Sequence, residues 1–136
     1  MDLLSELECE FSSLREGSNL GVMEVRVGKE TIRLEHPRVG IDFVAGTAEN
    51  HVFVLPILAV TEVIGSFLPD QSPETLVEFL GARNSPVRVH LRSQDSLRTC
   101  WLLNLRGVWA RVSSRNGISW IPMGSIHSLE VMAVDN

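Results

Sequence analysis

Four histidines and two cysteines are the side chains best suited here to hold a metal or to serve as base and nucleophile, and their spacing argues against either use. His36, His51, His90 and His127 fall one per segment, Cys9 and Cys100 lie in different segments, and no HExxH or CxxC pattern joins any of them. A zinc site built within one stretch needs ligands a few residues apart. The spacing implies two reduced, partly buried cysteines, histidines that are satisfied or exposed, and neither metal nor cofactor. No GxSxG, phosphate-binding GxxxxGK[ST] or GxGxxG occurs, and the ten glycines fall mostly at turns, where positive φ explains them. A non-enzymatic protein is therefore expected.

The chemistry that does stand out is aromatic and basic. Trp101, Trp109 and Trp120, the three tryptophans, all lie in the second half. If Val108, Ala110 and Val112 face inward along a strand, Trp109 and Arg111 face outward. Likewise Val87, Val89 and Leu91 inward leaves Arg88 and His90 outside. Arg88, His90, Trp109 and Arg111 are thus the candidate partner-contact residues, because Trp and Arg are enriched at binding hot spots and also stack on bases. The competing assignment packs Trp109 under a helix and leaves the arginines as a solvated face.

Charge limits the class of partner. The 136 residues carry a net charge of −5, and the first 68 hold 11 acids against 5 bases while the remainder holds 6 against 7. Broad electrostatic binding to phosphate backbones needs clustered Lys or Arg, so nucleic acid is disfavoured, and any such binding would use the more basic second half. The longest apolar run, Val52 to Val60, contains Pro56 and falls well short of the roughly 20 residues of a bilayer crossing. The opening MDLLSELECE lacks the positive start and cleavage site of a signal peptide. A cytoplasmic location without a membrane partner is expected.

These side chains are positioned by elements that recur. Residues 2 to 16 put Leu3, Leu4, Leu7, Phe11 and Leu14 on one stripe at helical spacing, which predicts an amphipathic helix ending at Gly17 with Leu7 and Phe11 its most buried members. From Val22 the period becomes two, with Met23, Val25 and Val27 alternating with Glu24 and Arg26. Strands are predicted at Val22–Val27, around Ile32 and Leu34, at Ile41–Ala45, Val52–Leu55 and Thr61–Ile64, with turns at Gly28-Lys29, His36–Gly40 and Glu49-Asn50. The second half repeats this order: Gly40 aligns with Gly107, Ile41–Ala45 with Val108–Val112, Val52–Pro56 with Ile118–Pro122, and Val60 and Val63 with Ile126 and Leu129. Asn116-Gly117 predicts a type I′ hairpin. Between the halves, Ser72 as N-cap, Pro73 at the first helical position and Gly81 at the end predict a short helix.

A five-stranded unit with a one-turn Pro-apolar segment before its last strand resembles the Sm-like small barrel. The whole chain resembles uncharacterised actinobacterial proteins with tandem barrels of this kind, sometimes labelled Fis-type regulators. Asp2–Glu8, Gly40–Ala45, Val54–Val60, the linker helix and Asn84–Val89 carry the resemblance, and no helix-turn-helix pair is seen among the strands. Sm-like barrels bind RNA through an acidic-Asn pattern and an Arg-Gly pair. Asp42 and Asn104 are isolated echoes of the first, and Val63-Ile64-Gly65 and Leu129-Glu130-Val131 lack the second, so that pocket is not carried over. The expected architecture is mainly β: an N-terminal helix and turn over 1–20, a first small barrel over 21–66, a linker with a short helix over 67–84 and a second small barrel over 85–136. The expected function is that of a binding or scaffold module whose barrel surfaces meet a protein partner, a second copy of the chain included, with RNA or DNA binding by the second barrel as the alternative.

Overall fold

The structure, a computed structural model, describes residues 21–65, 67–92 and 97–132. The helix expected over 2–16, with Leu7, Phe11 and Cys9, lies outside the described residues. What is described is mainly β. Ten strands form one antiparallel sheet: β1 (Val22–Val27), β2 (Glu30–Val39), β3 (Phe43–Ala48), β4 (His51–Pro56), β5 (Val60–Ile64), β6 (Val87–Leu91), β7 (Leu97–Arg106), β8 (Trp109–Ser114), β9 (Gly117–Pro122) and β10 (Ile126–Val131). A single α-helix of the described residues, α1 (Leu76–Arg83), lies between the two runs of five. Among the described residues, no helix is long and apolar enough to cross a membrane.

The strand order is β5-β1-β2-β3-β4-β10-β6-β7-β8-β9. Each half has the same internal order, with its last strand beside its first. Neither half closes on itself, because the outer edge of β4 is taken by β10 of the other half, with Val54 opposite Leu129, Phe53 opposite Glu130 and Val52 opposite Val131. One-turn 3-10 helices at Ile57–Ala59 and Met123–Ser125 occupy matching places before the last strand of each half. Each is anchored alike: Ile57 N–H donates to the Asp42 carbonyl at 2.9 Å, and Met123 N–H to the Val108 carbonyl at 2.7 Å.

Local signals account for most turns and correct three expectations. The Glu49-Asn50 hairpin has both central residues at positive φ, 51° and 68°, the type I′ geometry that matches strand twist. At the corresponding turn, Arg115 and Asn116 are central between Ser114 and Gly117, and only Gly117 is left-handed, at φ 106°. Asn116-Gly117 therefore does not form the expected I′ pair; glycine follows the turn and takes the strained position itself. His36–Gly40 is not a turn either. β2 continues to Val39 through a bulge between Glu35 and Arg38, with His36 at φ 51° absorbing the extra residue, which bends the strand without ending it. The helix starts later than expected. Ser72 Oγ instead accepts the Glu74 N–H, while Thr75 caps α1 in a reciprocal box with Glu78, and Asn84 in the left-handed region ends it beyond Gly81.

Two apolar clusters result. One lies inside the first half, around Met23, Val25, Leu34, Val44 and Leu55. The other joins Val87, Val89, Cys100, Ala110, Val112 and Ile126 of the second half to Leu76, Phe79 and Leu80 of α1 and to Phe43, Ala45 and Val54 of β3 and β4. Strands β3 and β4 are thus buried on both faces: Val44 and Leu55 serve the first cluster, Phe43 and Val54 the second. Asp42 secures this arrangement, its carboxylate accepting the Leu76 N–H at 2.7 Å at the start of α1, where the helix dipole favours negative charge.

Candidate functional site

The four residues singled out by sequence separate into two places. Trp109 and Arg111 lie on β8, facing away from Ala110 and Val112 in the core. Directly paired residues on neighbouring antiparallel strands share a face, so the register collects the rest of the site. Arg111 stands between Asn104 and Trp120, Trp109 between Arg106 and Pro122, and Ser113 between Trp101 and Ile118. The outer face of β7, β8 and β9 therefore carries all three tryptophans, each over 40% exposed: Trp101 45%, Trp109 47% and Trp120 43%. The Arg111 guanidinium lies 5.9 Å from the Trp120 ring centroid, within cation–π range, and Arg106, Gly107, Trp109 and Trp120 line a hollow of about 400 Å³. Val108, expected inward, is an exposed turn residue instead. The alternation that places Trp109 and Arg111 outward starts one residue later than was read.

Arg88 and His90 belong to the seam between the halves. Both are half-buried on β6, with Arg88 opposite Glu130 of β10. Glu130 is the one charged residue among the buried residues described, and both of its oxygens are engaged. Oε1 lies 3.0 Å from His90 Nε2 and Oε2 lies 3.4 Å from His51 Nδ1. His51 comes from β4 and His90 from β6, so β10 carries a carboxylate bracketed by one imidazole from each half. A buried carboxylate needs such partners, since leaving it unpaired is costly. His127 Nε2, also near the seam, lies 3.3 Å from Glu30 Oε2. A cleft of about 490 Å³ runs past His90, His127, Phe53 and Glu30.

Spacing along the chain hid this cluster, because His51 and His90 meet only when β4 and β6 both flank β10. Glu130, flanked by Leu129 and Val131 in the Ile126–Val131 strand, was the signal that could have pointed to it. Among the described residues, no group of three His, Cys, Asp or Glu side chains is disposed to hold a metal ion. The seam chemistry is that of a polar clasp, and the tryptophan face is the open surface with binding chemistry. Compared with models of protein families, with curated proteins and with solved structures, the chain matches none.

Proposed function

We propose that this chain is a non-enzymatic binding or scaffold protein of the cytoplasm. In this reading its two halves are tandem Sm-like small barrels, neither of them closed, and the outer face of β7, β8 and β9 receives a protein partner. The observation that carries it is the exposure of Trp101, Trp109 and Trp120 together with Ile118 on one face. Exposed apolar surface in a contiguous patch marks an interaction site more often than scattered side chains do, and Trp beside Arg is the composition of a binding hot spot. Arg111 lying over Trp120 leaves a planar, amphipathic surface that fits a peptide or protein face.

A second reading, nucleic-acid binding by the same half, is favoured by Arg106 and Arg111 flanking tryptophans on which bases could stack. Affinity purification from a cell lysate, with mass spectrometry and RNA sequencing at low and raised salt, separates the two. Protein capture that survives raised salt and is lost in Trp109→Ala supports the leading reading. RNA capture that falls steeply with salt replaces it, and equal capture by wild type and Trp109→Ala removes this face from both.

A further inference from the structure

The exposed tryptophan face has a buried twin. The two halves correspond at a constant offset of 66 positions from the third strand onward: β3 and β8 begin at 43 and 109, β4 and β9 at 51 and 117, the 3-10 turns at 57 and 123, and β5 and β10 at 60 and 126. Under that offset Trp109 corresponds to Phe43, Arg111 to Ala45, Ile118 to Val52 and Trp120 to Val54. Phe43, Ala45 and Val54 are at most 1% exposed, and Val52 packs against the same cluster. They are covered because β10 adds to the edge of β4, bringing the second half's core with it, and because α1 lies on Phe43, with the Phe43 and Phe79 rings 5.1 Å apart.

The two ends of the sheet are the two unmatched halves of that same seam. β9 stands where β4 stands, but its outer edge has no partner strand among the described residues. β5 stands where β10 stands, and its outer edge is likewise without one. Each edge is only lightly blunted: β5 carries a bulge between Val60 and Glu62, but β10 carries one at the matching place, between Ile126 and Ser128, and pairs with β4 all the same. Gly117–Pro122 contains no charged residue and ends, rather than begins, in proline, and the one acid of β5, Glu62, is drawn back to Arg26 of β1 at 2.7 Å. Edge strands that stay single are normally blunted by charge, proline or bulges.

We propose that the occupant of the tryptophan face is a second copy of this chain, whose β5 pairs antiparallel with β9 and repeats between molecules the seam that joins the halves within one. The register carried over sets Val63 opposite Trp120 and Ile64 opposite Ser119, as Leu129 faces Val54 and Glu130 faces Phe53. The first half of the incoming copy then covers Trp109 and Trp120 as the second half covers Phe43 and Val54. This rests on the reading of that face as a docking surface and names its partner. The contact is heterologous, head to tail, so it propagates to a closed ring or an open chain.

The test is the mass of the full-length chain by sedimentation velocity and light scattering across a wide range of concentration. Wild type is expected at integral multiples of the 15.1 kDa chain. Ile64→Glu, which spoils the β5 edge, and Trp120→Glu, which spoils β9, are each expected to be monomeric with circular dichroism close to wild type and a cooperative melt, at or somewhat below that of the assembled wild type. Mixed in equal amounts they should form a dimer and nothing larger, since each retains the one edge that the other lacks. Ile118→Glu serves on the β9 edge if Trp120→Glu melts early. A wild type that is monomeric throughout, single variants that keep the wild-type mass, or a mixture that stays monomeric overturns the proposal. A monomeric wild type that still captures protein through Trp109 would remove only the second copy as occupant. A monomeric wild type whose capture ignores Trp109 would remove the docking face as well.

Discussion

The outer face of β3 and β4 and the outer face of β8 and β9 hold the same place in two copies of one strand order, yet the first is core and the second is surface. The strands do not decide this. Both pairs have the same strand lengths, a two-residue loop between the strands, though of different turn geometry, and the same 3-10 turn after them. What differs is the neighbour: β4 has β10 on its edge and α1 across its face, and β9 has no strand on its outer edge among the described residues. The side chains record the difference. Small and medium apolar residues, Ala45 and Val54, fill the covered face, whereas Arg111 and Trp120 fill the open one, a pair that tolerates water and still offers a large apolar area to a partner.

The comparison is broken most sharply at its centre. Phe43→Ala should cost about 3–5 kcal/mol, as for other buried phenylalanines, and lower the melting temperature by many degrees. Trp109→Ala, at the matching position, should change the stability of the monomeric Ile64→Glu background by no more than about 0.5 kcal/mol. Thermal denaturation of the two variants side by side reads the difference.

A second contrast lies one layer inward. Gly46 of β3 corresponds to Val112 of β8, whose side chain is buried in the second cluster. A Cβ at Gly46 would lie 2.6 Å from Leu34 Cβ and 3.0 Å from the Glu35 carbonyl oxygen, because the bulged β2 presses close there. Gly46→Ala should therefore destabilise by about 1–3 kcal/mol, the usual range for overpacking, as measured by chemical denaturation. Val112→Ala should also destabilise, but by creating space, at about 2 kcal/mol or somewhat more. Loss from opposite directions at matched positions would show that the two halves are packed differently around the same strand.

At the seam, Glu130→Ala should cost about 1–3 kcal/mol by removing the hydrogen-bond partner of His90 and the carboxylate beside His51. Its counterpart Ile64 is exposed at the sheet end, so Ile64→Ala should leave the melting temperature of a monomeric background nearly unchanged. A smaller loss than at the seam is expected at the linker: Thr75→Ala removes the capping box of α1 and should cost about 1 kcal/mol, visible as a modest shift in the denaturation midpoint.

Much of this was legible in the residues because it is local. Period-two alternation placed Trp109 and Arg111 outward, and the spacing of glycines, prolines and valines showed that the second half repeats the first. The corrections come where two local signals compete or where the decisive partner is distant. His36-Pro37 reads as a chain reversal, but a bulge uses the same left-handed residue and lets β2 run on. Ser72 is as good a helix cap as Thr75 by composition. Thr75 wins because Glu78 completes its box and Asp42, far away in sequence, takes the Leu76 N–H. The seam was hidden entirely. No property of His51 or His90 alone indicates that β10 will enter between their strands, and the double burial of β3 and β4 depends on that same insertion.

The most direct measurement uses the tryptophans themselves, since all three of the chain lie on the face in question. Their fluorescence emission should shift to shorter wavelength as the full-length chain is concentrated, because pairing of β5 with β9 withdraws Trp109 and Trp120 from water. The Ile64→Glu chain should keep the red-shifted emission of exposed indoles at every concentration. An emission maximum that stays constant with concentration, and is the same in Ile64→Glu as in wild type, would contradict the docking of one copy on the next.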